Sequence, residues 1–245
     1  MSAPNPNFGT FEQETALHTD VSAYLIRAIL TGDLKERDRV VIRALAKQLG
    51  ASPTLVRKSI MDLEAIGLLK TPPNESAIVR KLGPGELYEI YQLRALLEGE
   101  AARLSCGRIP RATLLGSHNE AVRLRQATPS EMTEQWTADV LRHDAQVHQI
   151  VSHFCGSGRL FHEIGRYVTL VKVIRGMSGP KRDGMLQMLD EHDSTLEALL
   201  IPNRDIAGRR MAQHIYASAL ADIRVLFGPA AVTKLKTGTS IGPKI

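Results

Sequence analysis

Asp144 and His148 lie four residues apart in Ser130 to Phe154, a stretch whose apolar spacing predicts a helix, so both side chains share one face about a turn apart. Two such groups can share one ion. Their row, Leu141, Asp144, His148 and Val151, is otherwise apolar, and a carboxylate aimed inward without a partner is costly, so something cationic is expected to meet it. His192 takes a similar place in the row Met185, Leu189, His192, Leu196 and Leu199, and His214 lies between Met211 and Ser218. A break at Ile201-Pro202-Asn203 separates their helices, and Asn203 stands eleven residues from each histidine, so an antiparallel hairpin sets the two level. A lone histidine on such a row reads as a structural core residue. One aspartate and three histidines together read as a site for a divalent metal, zinc first, with nickel or manganese as alternatives. His18, His118, His143, His153 and His162 lack comparable partners and are assigned to surface or core. Arg94 lies in the inward row Leu87, Ile90, Arg94, Leu97, Ala101 and Leu104. A buried guanidinium needs an anion, which is Glu98, Asp144 or the carboxylate of a bound molecule.

A second constellation lies earlier in the chain. Between Arg39 and Met61 there are five basic residues, Arg39, Arg43, Lys47, Arg57 and Lys58, and no acid. Val41 to Leu49 reads as a short helix stopped at Gly50, and the next helix starts at Pro53 with Ser52 as its N-cap and runs to about Ile66. Helix, tight turn and helix is the arrangement in which the second helix enters the major groove. Arg57 then suits a bidentate guanine contact, Ser52, Thr54 and Ser59 suit hydrogen bonds to phosphate or base, and Arg43 and Lys58 suit the phosphate backbone. A three-helix structural module with a solvated basic face fits the spacing as well.

The elements that position these residues are legible in the 245-residue chain, of which 43% is hydrophobic and only 4% aromatic, with apolar residues recurring every three or four positions. Helix is expected over sheet. Residues 1–13 read as a disordered arm. A helix through Leu17, Val21, Leu25 and Ile29 ends at Gly32, and short strands at Leu68 to Lys70 and Ala77 to Arg80 flank the turn Pro72-Pro73-Asn74-Glu75, closing a first domain over 14–82. After Gly83-Pro84-Gly85, helical patterns fill Glu86 to Ser105, Thr113 to Gln126, Ser130 to Phe154, Arg159 to Arg175, Lys181 to Leu200 and Asp205 to Phe227, a six-helix second domain over 86–227. Residues 228–245 are expected to form a loose tail. Two cysteines, Cys106 and Cys155, far apart and without CxxC spacing, give no disulfide framework and suit a reducing cytoplasm. No membrane span or export signal is visible, and the net charge of +5 permits a polyanionic partner without identifying one.

The run Leu45-Ala46-Lys47-Gln48-Leu49-Gly50-Ala51-Ser52-Pro53-Thr54-Leu55-Val56-Arg57-Lys58-Ser59-Ile60, with Leu63 to Leu69 after it, resembles the winged helix-turn-helix of GntR-type bacterial transcription regulators over roughly Leu17 to Arg80. The resemblance implies that Arg57 and Arg43 are family arginines. Pro53 stands where the family turn usually has a DNA-contacting arginine, Lys58 replaces a common glutamate, and Asn74 replaces a wing-tip glycine. Asparagine tolerates positive φ, so the wing can still turn.

Leu87 to Ala102 resembles the opening helix of the FCD domain, the helical effector domain of FadR-type GntR regulators. Asp144 with His148, then Glu191-His192, then Ala207, Met211 and His214 match that domain's metal-ligand pattern, while Arg159 departs from its usual asparagine. The resemblance implies a metal with open positions that take water or a small carboxylate effector. The expected protein is therefore mainly α, a winged helix-turn-helix of three helices plus a β-wing followed by an all-α six-helix effector-binding bundle. It is expected to be a homodimeric, ligand-responsive regulator of a palindromic double-stranded DNA operator, with a small organic acid as effector, and not an enzyme. A metal-dependent hydrolase using the same Asp/His site, with His153 or Glu191 as base, and an architectural DNA-binding protein with a structural metal are the competing classes.

Overall fold

The computed structural model describes residues 20–129, 132–178, 181–201 and 203–236. The expected arm over 1–13, His18 and the helix start around Leu17 lie outside these residues. The chain divides into two compact units.

The first unit takes in the described residues up to Glu86 together with Arg166–Ile174. Helix α1 covers 20–31 and buries Val21, Leu25, Ile26 and Ile29 before Gly32, whose φ of 80° ends it. Strand β1 (Arg39–Val40) precedes α2 (Ile42–Leu49) and α3 (Pro53–Ala65). Gly50 adopts a left-handed φ of 62°, which lets the Ala51 N–H reach back to the Ala46 carbonyl at 3.0 Å and closes α2. Ser52 Oγ then accepts the Leu55 N–H at 3.2 Å, and Pro53 opens α3 where its missing N–H is harmless. Two cap devices thus fix the turn between the helices. Strands β2 (Leu69–Lys70) and β3 (Ala77–Val79) form the wing, with Asn74 at φ 60° at its tip. The expected hairpin gains a third strand, because β1 pairs antiparallel with β3 through Arg39 opposite Ile78, giving the order β1-β3-β2. An ion pair from Arg39 to Glu75 at 2.9 Å ties β1 to the wing. A two-residue strand carries too little alternation to be read from sequence.

The second unit holds Leu87–Gly165 and the described residues from Arg175 onward. Its helices belong to α4 (Pro84–Ser105), α5 (Arg111–Gln126), α6 (Glu134–Phe154), α7 (Gly158–Gly165), α8 (Val168–Ser178), α9 (Arg182–Leu200), α10 (Arg204–Phe227) and α11 (Pro229–Lys236), with the start of α4 and most of α8 counted in the first unit. Each of the six expected patterns contains a helix, but the third starts only at Glu134, the fifth at Arg182, and the fourth is divided at residues 166–167. Gly165, a weak helix former, ends α7 there. The expected loose tail is corrected over Pro229–Lys236, which forms α11 and buries Ala231 and Val232. Those two apolar side chains give it an inner face, a pattern too short to stand out in the sequence. Thr133 and Asn203 cap α6 and α10 by accepting the Trp136 and Ile206 N–H groups. Trp136, Leu124, Val140, Met185 and Leu189 pack as one apolar cluster of α5, α6 and α9. Elsewhere α4 crosses α10 at close range, since a Cβ on Gly99 would lie 3.1 Å from the Gly208 carbonyl oxygen. A larger residue there would need the two backbones to move apart slightly, so glycine suits the crossing.

Candidate metal centre and DNA-facing helix

Helices α6, α9 and α10 bring Asp144, His148, His192 and His214 together, with one candidate ligand atom from each lying within 4.8 Å of all the others. The four were named from sequence, and the geometry assembles all of them. His192 Nε2 lies 3.1 Å from His214 Nε2 and 3.4 Å from Asp144 Oδ1, while His148 Nε2 lies 3.6 Å from the same oxygen. His192 is fully buried and His214 is 1% exposed, so water does not solvate their rings.

Hydrogen bonds set the direction of the lone pairs of His148 and His214. His148 Nδ1 meets Glu98 Oε2 at 2.5 Å, and His214 Nδ1 meets Glu191 Oε2 at 2.8 Å. A carboxylate on Nδ1 holds the proton there and leaves Nε2 bare, the arrangement that supports a metal-bound imidazole. Burial, then the neighbouring imidazoles and Arg175, pushes His192 and His214 well below the usual histidine range, so both are neutral. Buried Asp144 Oδ1 and His148 Nε2 have no hydrogen-bond partner among the described residues. An acceptor left bare in the interior is costly, and a divalent cation at the convergence of these atoms removes that cost. The residues present therefore fit a metal.

Charged groups support this set from behind. Arg94 donates to Glu98 from Nε at 3.0 Å and pairs with it through Nη2 at 2.8 Å. Burial opposes ionisation of Glu98, yet Arg94 and His148 outweigh it and hold the carboxyl well below the usual range. Of the partners considered for Arg94, Glu98 is the one it meets. Its buried Nη1 stays without a partner among the described residues. Arg175 Nη1 donates to Asp144 Oδ2 and supplies the expected cation. Tyr91 donates to Asp222 Oδ2, and burial, reinforced by Asp222, pushes the phenol up. Arg94 also stacks over the Tyr91 ring at 5.0 Å.

Sequence reasoning missed Glu98 as the partner of His148, Glu191 as the partner of His214, and Arg175. Glu98 carried one signal, its place four residues after Arg94. Arg175 carried none, standing 31 residues from Asp144. His118, assigned no partner from sequence, meets Asp193 at 2.5 Å, and His143 is buried with its ring T-shaped to that of His192. His153 and His162 are exposed. Glu191, one base a hydrolase would require, is engaged with His214.

In the first unit, Arg43, Ser52, Thr54, Arg57 and Lys58 are all exposed. Ser59 is fully buried on the face of α3 that carries Val56, Ile60 and Leu63, which corrects its expected contact with DNA. Its spacing from those residues is that of an inward helical row.

The GntR description of bacterial regulatory proteins matches residues 17–79, and the FCD domain matches residues 89–217. The chain belongs to the GntR family of bacterial regulatory proteins, in the group that carries an FCD domain. It is 34% identical over 91 residues to a probable D-xylose utilization operon transcriptional repressor of Paenarthrobacter nicotinovorans, covering 37% of this chain and 40% of that protein. It is 28% identical over 123 residues to the HTH-type transcriptional regulator McbR of Escherichia coli K12, covering 50% and 56%. The matches thus span less than two thirds of these relatives. The fold is similar to that of the solved E. coli McbR/YncC, with a TM-score of 0.58 at 20% identity over 86% of this chain and 97% of the other. These relatives are named as regulators of transcription, not as enzymes. Among the described residues no helix is long and apolar enough to cross a membrane.

Proposed function

We propose that the chain is a cytoplasmic transcription regulator that binds a palindromic double-stranded DNA operator as a homodimer and changes its grip when a small carboxylate effector occupies the metal centre. The observation that carries this reading is the convergence of Asp144 Oδ1 and the imidazoles of His148, His192 and His214 in a site where Asp144 Oδ1 and His148 Nε2 have no hydrogen-bond partner among the described residues. Asp144, His148, His192 and His214 hold the ion, with zinc the best match to a set of three nitrogens and one oxygen. When bound, the metal supplies open positions for a carboxylate oxygen. Arg94 orients Glu98, which orients His148, and keeps Nη1 free for the far end of the effector.

In the working division, residues 14–82 carry the DNA contacts and residues 86–227 the effector site. Arg57 reads a base edge, Thr54 contacts the strand near the start of α3, and Arg43 and Lys58 hold phosphates. Ser52 sets the angle of α3 through its cap. A dimer places two α3 helices in successive major grooves, and half-site spacing is then a strict geometric demand.

The test is a titration of operator DNA with metal-free protein, zinc-loaded protein, and zinc-loaded protein with acetate, succinate or citrate. At least one acid is expected to change operator affinity in the zinc-loaded protein only, by about 5–150-fold. Identical affinities under all conditions would overturn the reading.

A further inference from the structure

The geometry points to the outward stripe of helix α4 as a docking surface for a second copy of this chain, packed antiparallel about a two-fold axis at Leu96. The inference rests on the homodimer proposed above and names the face that makes it. Helix α4 turns Leu87, Tyr91, Arg94, Glu98, Ala101 and Ala102 inward, and all of them are buried. Its opposite side carries Glu89, Gln92, Leu93, Leu96, Glu100 and Arg103, which recur at steps of three and four residues and so form one stripe along the helix. Leu93 is 52% exposed and Leu96 67%. The whole stripe belongs to the second unit. Two bare leucines at the middle of a helix face, with charged side chains at both ends, make an apolar centre inside a polar rim, the composition of a face that packs on another helix.

The charges decide what the stripe meets. In a parallel self-pairing Glu89 would face Glu89 and Glu100 would face Glu100, which is repulsive. An antiparallel pairing with Leu96 on the axis sets position 89 opposite 103 and position 92 opposite 100. Glu89 of each copy then faces Arg103 of the other, Gln92 faces Glu100, and the two Leu96 side chains meet with Leu93 alongside. Glu89 makes no ion pair among the described residues. Arg103 commits Nε and Nη2 to Glu100 at 2.7 and 2.8 Å, which leaves Nη1 to reach across. Because a two-fold axis repeats every contact, this match supplies an ion pair at each end of one apolar centre. From Glu89 to Arg103 the stripe is about 21 Å long. That is a small contact by the standard of stable interfaces, so the dimer is expected to depend on concentration.

The test is sedimentation velocity on the full chain over about 1–100 μM, for wild type, Leu96→Glu, Glu89→Arg, Arg103→Glu and an equal mixture of the last two. Wild type is expected to pass from monomer to dimer across this range. Leu96→Glu sets two like charges on the axis and should weaken the dimer by about tenfold or more. Glu89→Arg alone and Arg103→Glu alone each put like charges at both ends and should weaken it by about tenfold. Mixed, the two variants restore opposite charges at both ends of a heterodimer, which should form within about threefold of the wild-type affinity. Misfolding of either variant could not produce that recovery. Variants that dimerise as wild type does overturn the inference and leave the homodimer on another face, with the stripe taken by a terminal segment of this chain or by a different protein. Weakened single variants that do not recover on mixing overturn the register, and the inference with it. A wild type that stays monomeric throughout overturns the homodimer and the inference together.

Discussion

The helix-turn-helix and the candidate metal centre are built by opposite means. Around α3, the backbone is set by local devices within a few residues, namely Gly50, Ser52 and Pro53, and the side chains proposed to meet DNA are exposed. In the candidate metal centre Asp144, His192 and His214 are buried and His148 is partly so, and partners come from distant parts of the chain, as Glu98 meets His148 across fifty positions. A surface that meets a polyanion needs reach and charge, and water can solvate it until the partner arrives. A buried site for a cation leaves ligand atoms bare until the ion binds, as Asp144 Oδ1 and His148 Nε2 are, so it needs a surrounding shell of charges to hold them in place. Substitutions should therefore destabilise the second region and leave the first folded but impaired.

The largest effect is expected from Arg94→Ala. It leaves Glu98 buried at 4% exposure without its guanidinium, and loss of one partner of a buried pair typically costs about 3–5 kcal/mol. Urea unfolding of the metal-free protein measures this, and a change under about 1 kcal/mol would show that the pair is solvated after all.

Next comes removal of the metal. A chelator, or His192→Ala, should strip the ion and lower stability by about 2.7–4.1 kcal/mol when free metal stands at 100–1,000 times Kd, whereas exposed His162→Ala should retain it. Stoichiometric metal in a double His192→Ala, His214→Ala variant would contradict the assignment. Acid sharpens the same point. In the unfolded chain an imidazole titrates near about 6.5, but in the folded chain His192 and His214 lie well below that value, so the unfolded state takes up protons first as pH falls. Their stabilising contribution is present above about pH 6.5 and is lost on acidification below it, in thermal melts of the metal-free protein.

The DNA-facing helix gives smaller numbers of another kind. Arg57→Ala should lose about 1–3 kcal/mol at the specific operator and little on random DNA, whereas Lys58→Ala should weaken both alike. Fluorescence anisotropy at fixed salt separates them, and equal losses on both DNAs from both variants would remove Arg57 from base readout. Ser52→Ala should cost only about 1 kcal/mol of folding stability through the lost cap. A thermal melt of the full chain reads it, and an unchanged transition would mean that Pro53 alone sets the start of α3.

The same contrast explains what the sequence made legible. The turn from Gly50 to Pro53 could be read because capping chemistry is local and depends on residue type. Asp144, His148, His192 and His214 could be read because each interrupts an apolar row at helical spacing. Glu98 as a partner of His148 could not, since its own row shows only its relation to Arg94. Arg175 could not, because nothing within its helix indicates a carboxylate 31 residues earlier. Ser59 was assigned to DNA from its residue type, while its spacing from Val56 and Leu63 already placed it inside. Long-range pairing and very short elements such as β1 leave no periodic trace.

The central claim, that Asp144, His148, His192 and His214 hold a divalent ion, is tested most directly by X-ray absorption at the zinc edge on the zinc-loaded full chain. The predicted spectrum has a first shell of nitrogen and oxygen only, at about 2.0–2.2 Å, with outer-shell scattering from about three imidazoles. A sulfur shell near about 2.3 Å, or a first shell without imidazole scattering, would contradict it.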